Sequence, residues 1–331
     1  MQTVLVSGGA GYVGSHACLR LAQAGFRPVV YDNLSNGSAD FVQWGPLETG
    51  DIRDPARLDA VFAAHRPVAV MHFAALIEVG ESVRDPGAFY DNNVGGSLCL
   101  IQAARRAGVD KLVFSSTCAT YGPPTDGQPL REDNPQDPAS PYGRSKLMVE
   151  QALTDLERHS GFRSIRLRYF NAAGADPQGR IGERHSPETH AVPLAILAAM
   201  DPARTFKLFG DDYPTPDGTA VRDYVHVLDL ADAHVAALRR LLDGAPGEAL
   251  NLGRGEGISV RELIAAVAAA GTAPKVEQAP RREGDAPMLV ADNARARAVL
   301  GWSPKHDLAD IVGSAWAWHR AERARVASAA E

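Results

Sequence analysis

Cysteine is scarce in this chain, and its distribution argues against both a cysteine-bound metal site and a disulfide-stapled scaffold. The 331 residues include three cysteines, Cys18, Cys99 and Cys118, which are far apart and lack metal-ligand spacing. An odd and scattered set argues against a disulfide-stapled scaffold and is typical of buried, reduced thiols. The first apolar strand also begins two residues after Met1, which leaves no room for a signal peptide. We therefore expect a cytoplasmic protein without a bound metal.

Long apolar runs and an excess of positive charge are missing as well. No apolar run approaches the ~18 residues of a membrane span. The 34 Lys and Arg against 40 Asp and Glu give a formal net charge of -6, which argues against nucleic-acid binding. A hydrophobic content of 45% and a charged content of 22% are ordinary for a globular protein. We expect neither a membrane nor a nucleic acid as partner.

Glycine, in contrast, is concentrated in a turn near the start of the chain. The apolar run at 3–7 is followed by GGAGYVG at 8–14 and by a helix-like stretch at 16–24, the order that a dinucleotide fingerprint requires. Gly8 permits a tight turn, Gly11 lets the backbone approach a pyrophosphate, and Gly14 lets the helix pack against the strand. The free amides of the helix N-terminus attract the phosphates.

An acidic residue ends the second apolar run, at 28–31. Asp32 follows Gly14 by 18 positions. A carboxylate at this point hydrogen-bonds the adenosine ribose diol and repels a 2′-phosphate. The sequence therefore predicts NAD rather than NADP.

Apolar and helical segments alternate through the first half of the chain. Apolar runs at 28–31, 68–73 and 111–115 are separated by helical patterns that include 88–107 and 142–159. This alternation predicts an α/β, doubly wound parallel sheet of the Rossmann type, with ligands at the carboxyl ends of its strands. The residues at such ends are Gly8, Asp32, Asp51, Phe73, Ser115 and Phe170.

After Asn171 the elements become shorter and the loops richer in Pro, Gly and Asp. One strand is predicted at 221–227, and helices at 229–242, 260–270 and 307–325. We expect residues 1–170 to form an NAD-binding Rossmann domain, to which 221–250 return. Residues 171–220 and 251–331 would then form a smaller α/β domain, to which the family resemblance described below assigns the binding of a UDP-sugar.

Tyr142 and Lys146 form a possible proton-transfer pair. Ser140 and Pro141 predict a helix start just before them, and positions i and i+4 share a helix face about 6 Å apart. Half-ionising a tyrosine of pKa ~10 at pH 7 requires roughly 4 kcal/mol. An ammonium at ~6 Å supplies about 3 kcal/mol at an effective dielectric constant of ~20. A bound nicotinamide cation would supply the rest.

The order of motifs along almost the whole chain resembles the extended short-chain dehydrogenase/reductase family. The similarity is greatest to members that epimerise UDP-sugars at C4, and it rests on GGAGYVG, YDNL, GDIRD, HFAA, VGES, YDNNV, SPYGRSKLMVE, RYFNAAGA, FGDDYPTPDGTAVRDYVHVLDLADAH, NLG and PRREGD. The resemblance implies NAD-dependent, reversible conversion of UDP-galactose to UDP-glucose through a transient 4-keto sugar and bound NADH. It also implies a homodimer formed through the helices at 88–107 and 142–159.

The resemblance also implies roles for single residues. Tyr142 would be the acid-base group at the sugar 4-hydroxyl, Thr117 would hydrogen-bond the same hydroxyl, and Lys146 would bind the nicotinamide ribose and lower the tyrosine pKa. The other implied NAD contacts are Tyr12, Val13, Asp32, Asn33, Asp51, Ile52, Phe73, Ala74, Asn92 and Phe170. The implied UDP-sugar contacts are Asn171, Arg222, Tyr224, Arg282 and Asp285.

Three departures from the family pattern bear on the substrate. Ile77 stands where many members place a lysine near the cofactor. His190 stands where an asparagine often meets the sugar, and it either does the same or lies on the surface of a loop. Leu289 aligns with a residue that sizes the sugar pocket, and leucine is intermediate between residues that exclude and admit N-acetyl groups. A UDP-N-acetylhexosamine or a UDP-pentose therefore stays open as the main substrate.

Two other functions of this family fit the sequence less well. Sugar-nucleotide dehydratases of this family carry an Asp-Glu pair after the threonine, whereas Cys118 and Ala119 stand here, and neither transfers protons at a useful pKa. A non-catalytic, NAD-binding regulator would usually have lost the tyrosine and the lysine, and both are present.

Overall fold

A computed structural model describes residues 1–124, 127–282 and 284–329. In chain order the strands are β1 Thr3–Ser7, β2 Arg27–Asp32, β3 Leu47–Thr49, β4 Ala69–His72, β5 Lys111–Thr117, β6 Arg163–Tyr169, β7 Asn171–Ala173, β8 Phe206–Phe209, β9 Val221–Arg222, β10 Tyr224–His226, β11 Glu248–Leu252, β12 Ile258–Ser259, β13 Val276–Ala279 and β14 Met288–Leu289.

The α-helices are α1 Tyr12–Gln23, α2 Pro55–His65, α3 Val79–Arg84, α4 Pro86–Phe89, α5 Ser97–Arg106, α6 Pro141–Ser160, α7 Ala191–Met200, α8 Val227–Leu242, α9 Val260–Ala270, α10 Ala294–Leu300 and α11 Leu308–Ala329. Short 3-10 turns lie at Ala39–Phe41 and Cys118–Thr120, and a π-helical turn at Tyr90–Gly96 joins α4 to α5. None of the helices in the described part of the chain has the length and apolar character that a membrane crossing needs.

The central sheet has seven strands in the order β11-β6-β5-β4-β1-β2-β3, and all of its pairs are parallel. Alternate residues of β1 face opposite layers, as the period of a strand requires. Val4 and Val6 pack in a core with α1 and α8, whereas Leu5 packs in a core with α2, α5 and α6. Helices therefore cover both faces, and the predicted doubly wound α/β sheet is confirmed.

The second half of the chain builds three small sheets and also contributes to the large one. β11 pairs with β6 at the edge of the large sheet, and α8 packs against α1. A separate apolar core lies between α7, α9 and α11. The division of the chain into two domains at the predicted boundaries stays a prediction.

The prediction of one strand at 221–227 is wrong. The segment forms β9, which pairs with β12 and β14, and then β10, which pairs with β7 in another sheet. Asp223 separates the two strands because its buried carboxylate accepts hydrogen bonds from the backbone amides of Arg254, Gly255 and Ala291. The helix predicted at 88–107 is likewise interrupted by the π-helical turn.

Candidate active site

The glycine turn brings the N-terminus of α1 against the end of β1. Gly8 has a φ of +75°, and a Cβ there would lie 2.4 Å from the backbone nitrogen of Ala74. A Cβ on Gly14 would lie 2.1 Å from the carbonyl oxygen of Gly8. Gly11 precedes α1 without a side-chain cap, and the first turn of α1 contains no acidic residue. The uncapped amides therefore fit a pyrophosphate, as the motif predicts.

Asp32 is held at the end of β2 by the same turn. Its Oδ2 accepts a hydrogen bond from the backbone N–H of Ala10 at 3.0 Å, and its Oδ1 accepts one from that of Leu34 at 2.9 Å. Burial raises the pKa of this carboxyl, and the two amides oppose the shift. The fixed carboxylate lies directly beside the phosphate-binding turn, where a ribose diol would reach it.

Three further predicted cofactor contacts, Asn33, Asp51 and Ile52, follow the ends of β2 and β3. Asn33 donates a hydrogen bond from Nδ2 to Asp51 Oδ2 at 3.2 Å. The guanidinium of Arg53 binds the Asp51 carboxylate through two nitrogens and holds its pKa well below the usual range. Ile52 is buried against Gly96. These side chains form one continuous edge along the carboxyl ends of β2 and β3.

Tyr12 and Val13 are the first two residues of α1, directly after the first three glycines of the turn. The Tyr12 hydroxyl donates a hydrogen bond to the carbonyl oxygen of Gly174 at 2.6 Å. Tyr12 therefore ties the glycine turn to the segment after β7, while Val13 is half-buried.

The loop after β4 is anchored by a residue that the sequence analysis missed. The amides of Phe73 and Ala74 donate to the carbonyl oxygen of Ser7 at 2.8 and 3.1 Å. Asn93 is buried, bonds both the N–H and the carbonyl of Leu76, and also donates to Ser145 Oγ at 3.1 Å. The predicted contact Asn92 donates to the side-chain oxygen of Asn93 at 3.0 Å. Asn93 therefore links this loop, the π-helical turn and α6.

The predicted catalytic residues converge at the end of β5 and the start of α6. Ser140 caps α6 by accepting a hydrogen bond from the N–H of Gly143, which places Tyr142 in the first turn. The Tyr142 phenol lies near the side chain of Thr117, the last residue of β5. Burial raises the pKa of Tyr142, Tyr169 raises it further, and the contact with Thr117 lowers it in part.

Lys146 lies behind this pair and is almost fully buried. Its Nζ donates a hydrogen bond to the carbonyl oxygen of Ser115 at 2.9 Å and lies 5.0 Å from the centre of the Phe114 ring. Burial lowers the pKa of Lys146 to about 7, and the charge of Glu150 opposes that shift. The protein alone therefore leaves the lysine close to its midpoint at neutral pH.

The predicted nicotinamide contact Phe170 and the predicted sugar-pocket residue Leu289 meet in one cluster. Phe170 packs in one small apolar cluster with Tyr121, Leu130 and Ala291, and both Cys118 and Leu289 contact that cluster. Asn171 donates its backbone N–H to the carbonyl oxygen of Asp223 at 2.9 Å. The cluster forms an apolar wall beside Thr117, with Leu289 in it.

The predicted diphosphate-binding residues differ in their surroundings. Arg222 is paired with Asp285, and its charge lowers the pKa of Cys118 against the effect of burial. Arg282 stacks on the ring of Phe209, with its guanidinium carbon 4.0 Å from the ring centre. Tyr224 is buried in the core between α7, α9 and α11.

His190 is part of a group of four side chains in the loop before α7. Its Nδ1 lies 2.9 Å from Glu183 Oε1 and 3.0 Å from Glu188 Oε1, and its ring packs beside His185. Although burial opposes the change, the two carboxylates raise the pKa of His190 to about 10. The two carboxylates hold the imidazole of His190 in place. The contact between His190 and the sugar stays a prediction.

The arrangement as a whole defines a class. A glycine turn, an acid at the end of β2 and a Tyr-Lys pair on one helix, all at the carboxyl edge of a parallel sheet, are the parts of a dinucleotide-dependent enzyme. The chain belongs to the NAD dependent epimerase/dehydratase family, whose model matches residues 4–253.

Individual relatives cover nearly the whole chain. The UDP-glucose 4-epimerase of Rhizobium leguminosarum bv. trifolii is 61% identical over 319 residues, which are 96% of this chain and 97% of the relative. The crystal structure of UDP-glucose 4-epimerase from Brucella ovis in complex with NAD is 47% identical, with a TM-score of 0.93, over 96% of this chain and 98% of that one.

A third relative has been crystallised with a UDP-sugar. The UDP-glucose-4-epimerase of Stenotrophomonas maltophila, with bound NAD and formylated UDP-arabinopyranose, is 42% identical. Its TM-score is 0.94 over 98% of this chain and all of that one. The predictions of the family, of an NAD-dependent enzyme and of the 4-epimerase class are confirmed by these matches.

Proposed function

We propose that the protein inverts C4 of UDP-hexoses and interconverts UDP-galactose and UDP-glucose. The observation that carries the proposal is the convergence of Thr117, Tyr142 and Lys146 at the end of β5, on the same edge of the sheet as the glycine turn. The relatives support it, since the three described above are UDP-glucose 4-epimerases.

The roles of the three residues follow from their surroundings. Tyr142 takes the proton of the sugar 4-hydroxyl and returns it to the inverted product, and Thr117 orients the same hydroxyl. Burial favours the neutral phenol, so a nearby positive charge has to stabilise the phenolate. Lys146 supplies one such charge one turn further along α6. Bound NAD supplies the reversible transfer of the C4 hydride.

Residues at the end of β5 favour epimerisation over dehydration. A dehydratase has to move protons at carbons 5 and 6 after the 4-keto sugar forms. Burial raises the pKa of Cys118 to about 12, and Ala119 has no ionisable group. Neither side chain can exchange a proton near neutral pH. Replacing the pair with Asp and Glu would be the minimal change toward a dehydratase.

The UDP moiety is assigned to the arginines of the second half. Arg222 lies near Cys118 and is oriented by Asp285, while Arg282 is exposed and stacked on Phe209. Two phosphates require such cations, and planar guanidinium groups suit them. Leu289 lies in the apolar cluster around Phe170, and its moderate size is compatible with side activity on UDP-N-acetylhexosamines and UDP-pentoses.

Replacing Tyr142 with phenylalanine tests the proposal. The variant retains the ring but loses the proton-transfer group, so we expect turnover to fall by about 10²–10⁴-fold while NAD stays bound. Tyr90→Phe, which removes a hydroxyl from the π-helical turn, is the matched control and should keep its activity. Near-normal turnover of Tyr142→Phe would contradict the assignment.

A panel of UDP-sugars separates the remaining alternatives. Purified protein is incubated with UDP-galactose, UDP-N-acetylgalactosamine and a UDP-pentose, and the anomeric protons of the products are followed by NMR. We expect the fastest conversion for UDP-galactose. Protein that carries NAD but converts none of these sugars would instead support the non-catalytic regulator.

A homodimer in the cytoplasm completes the proposal. Exposed large apolar side chains lie on three neighbouring helices: Val79 and Val83 on α3, Leu98 on α5 and Met148 on α6. A face of this kind is typical of an interface between subunits. It includes the two helical segments through which the family resemblance implies dimerisation.

A further inference from the structure

Four potential metal ligands lie together outside the Tyr142 centre. Glu183, His185, Glu188 and His190 each place one nitrogen or oxygen atom within 4.8 Å of the others. They follow the spacing E-x-H-x-x-E-x-H in the loop before α7. The two glutamate side chains are 4% and 8% exposed, whereas the His190 side chain is 40% exposed, so the group lies at the edge of the interior.

The nitrogen-to-oxygen distances in this group are close to those of a tetrahedral site. Zn²⁺ bonds of about 2.0–2.1 Å place neighbouring ligand atoms of a tetrahedron roughly 3.3–3.4 Å apart. His190 Nδ1 lies 2.9 Å from Glu183 Oε1 and 3.0 Å from Glu188 Oε1. His185 Nδ1 lies 3.4 Å from the same Glu183 oxygen and 3.6 Å from the other Glu188 oxygen, Oε2. These distances lie on either side of the required length.

One buried atom of the group is not satisfied by the protein. His185 Nδ1 is inaccessible to solvent and has no hydrogen-bond partner, although both carboxylates are near it. A buried polar nitrogen without a partner is costly. A cation between the imidazoles and the carboxylates would satisfy this nitrogen and the oxygens together.

We propose that Glu183, His185, Glu188 and His190 form a binding site for one Zn²⁺ ion. Imidazole nitrogens and carboxylate oxygens are suitable zinc ligands, and four of them complete a closed, structural site. Binding replaces the imidazole protons, which pass to solvent. The ion would fix the loop that leads into α7 and, through the ring of His185 beside Tyr12, connect it to the glycine turn.

The competing arrangement is an ion-pair group in which both imidazoles are protonated and the four charges cancel. That arrangement binds no metal. The scattered cysteines, on which the expectation of a metal-free protein rests, give no information about a site built from histidines and glutamates. Titration with a metal distinguishes the two arrangements.

The test uses the full chain, freed of metal by a chelator and checked by circular dichroism. Zn²⁺ is titrated by calorimetry, and Co²⁺ is added separately because its visible spectrum distinguishes tetrahedral coordination. We expect one Zn²⁺ per chain and intense tetrahedral Co²⁺ bands. Mg²⁺ in excess should displace neither ion, since it prefers six oxygen ligands.

Two variants and one control decide the assignment. His190→Gln removes the most exposed ligand and should weaken Zn²⁺ binding by at least about tenfold. His185→Gln with Glu188→Gln should abolish it, and His159→Gln, on the exposed end of α6, should leave it unchanged. Folded protein that binds no stoichiometric Zn²⁺, or His190→Gln with unchanged affinity, would overturn the proposal.

Discussion

Replacing Glu150 with glutamine probes the buried ion pair behind Lys146. Arg168 donates from Nε to both carboxylate oxygens of Glu150 at 3.0 and 3.1 Å, and its Nη2 donates to one of them. The two side chains are only 6% and 4% exposed. Ser116 also donates its hydroxyl to the Glu150 carboxylate. The ion pair is therefore shielded from solvent and tightly hydrogen-bonded.

The magnitude of the effect follows from this burial. Removing one partner of a buried pair leaves an uncompensated charge, which costs about 3–5 kcal/mol. Glutamine retains the shape but turns an N–H group toward the guanidinium of Arg168. This loss is a large share of a total free energy of unfolding on the order of 5–15 kcal/mol.

The negative charge of Glu150 also raises the pKa of Lys146. The Glu150→Gln variant should therefore lower the pKa of Lys146 further and reduce activity above pH 7.

Equilibrium unfolding in urea, followed by circular dichroism, measures the loss of stability. The matched comparison is a double-mutant cycle with Glu150→Met, Arg168→Met and both together, because an apolar pair avoids the unpaired charge. We expect the double variant to be more stable than either single one. A Glu150→Gln variant that loses less than about 1 kcal/mol would refute the argument that the pair is desolvated.

Three further predictions concern the cofactor turn, buried histidines and the subunit surface. Gly14→Ala forces a Cβ to within 2.1 Å of a backbone oxygen and should abolish NAD binding in fluorescence titrations, while Gly80→Ala, with no atom within 4 Å, should not. Burial lowers the pKa of His72 to about 3 and that of His234 to about 4. Below pH ~6.5 these two histidines therefore bind protons in the unfolded chain but stay neutral in the folded protein. Stability to urea should fall by about 1.4 kcal/mol per pH unit for each histidine between pH 6.5 and 4, and constant stability would contradict this. Met148→Asp, at a side chain that is 44% exposed, should dissociate the proposed dimer in light scattering, whereas Val326→Asp should leave its oligomeric state unchanged.

Sequence patterns predicted those parts of the site that are local in the chain. The cap at Ser140, the proline after it and the spacing of Tyr142 and Lys146 all lie on one short segment, and α6 begins and runs as predicted. The glycine turn and Asp32 belong to one strand-helix-strand unit, in which spacing alone fixes their proximity. Local rules suffice for such features.

The missed features depend on partners far away in the sequence. Asn93 acts through Leu76 and Ser145, and neither contact leaves a trace in the local pattern. Asp223 interrupts an apolar segment because its carboxylate binds amides from distant loops. His190 could be aligned with a sugar contact, but its position beside two glutamates required the fold of the whole loop.

The late strand β11 has a consequence for how the protein is made on the ribosome. β11 pairs with β6 along five positions, and α8 covers the same sheet from the side of α1. Until residue 252 has emerged, the β6 edge of the nascent sheet is open, and until α8 has emerged the face on the side of α1 is only partly covered. At ~5–20 residues per second, the roughly 80 residues after β6 take several seconds to synthesise. During that interval the unfinished sheet is a natural client for chaperones that shield exposed strands.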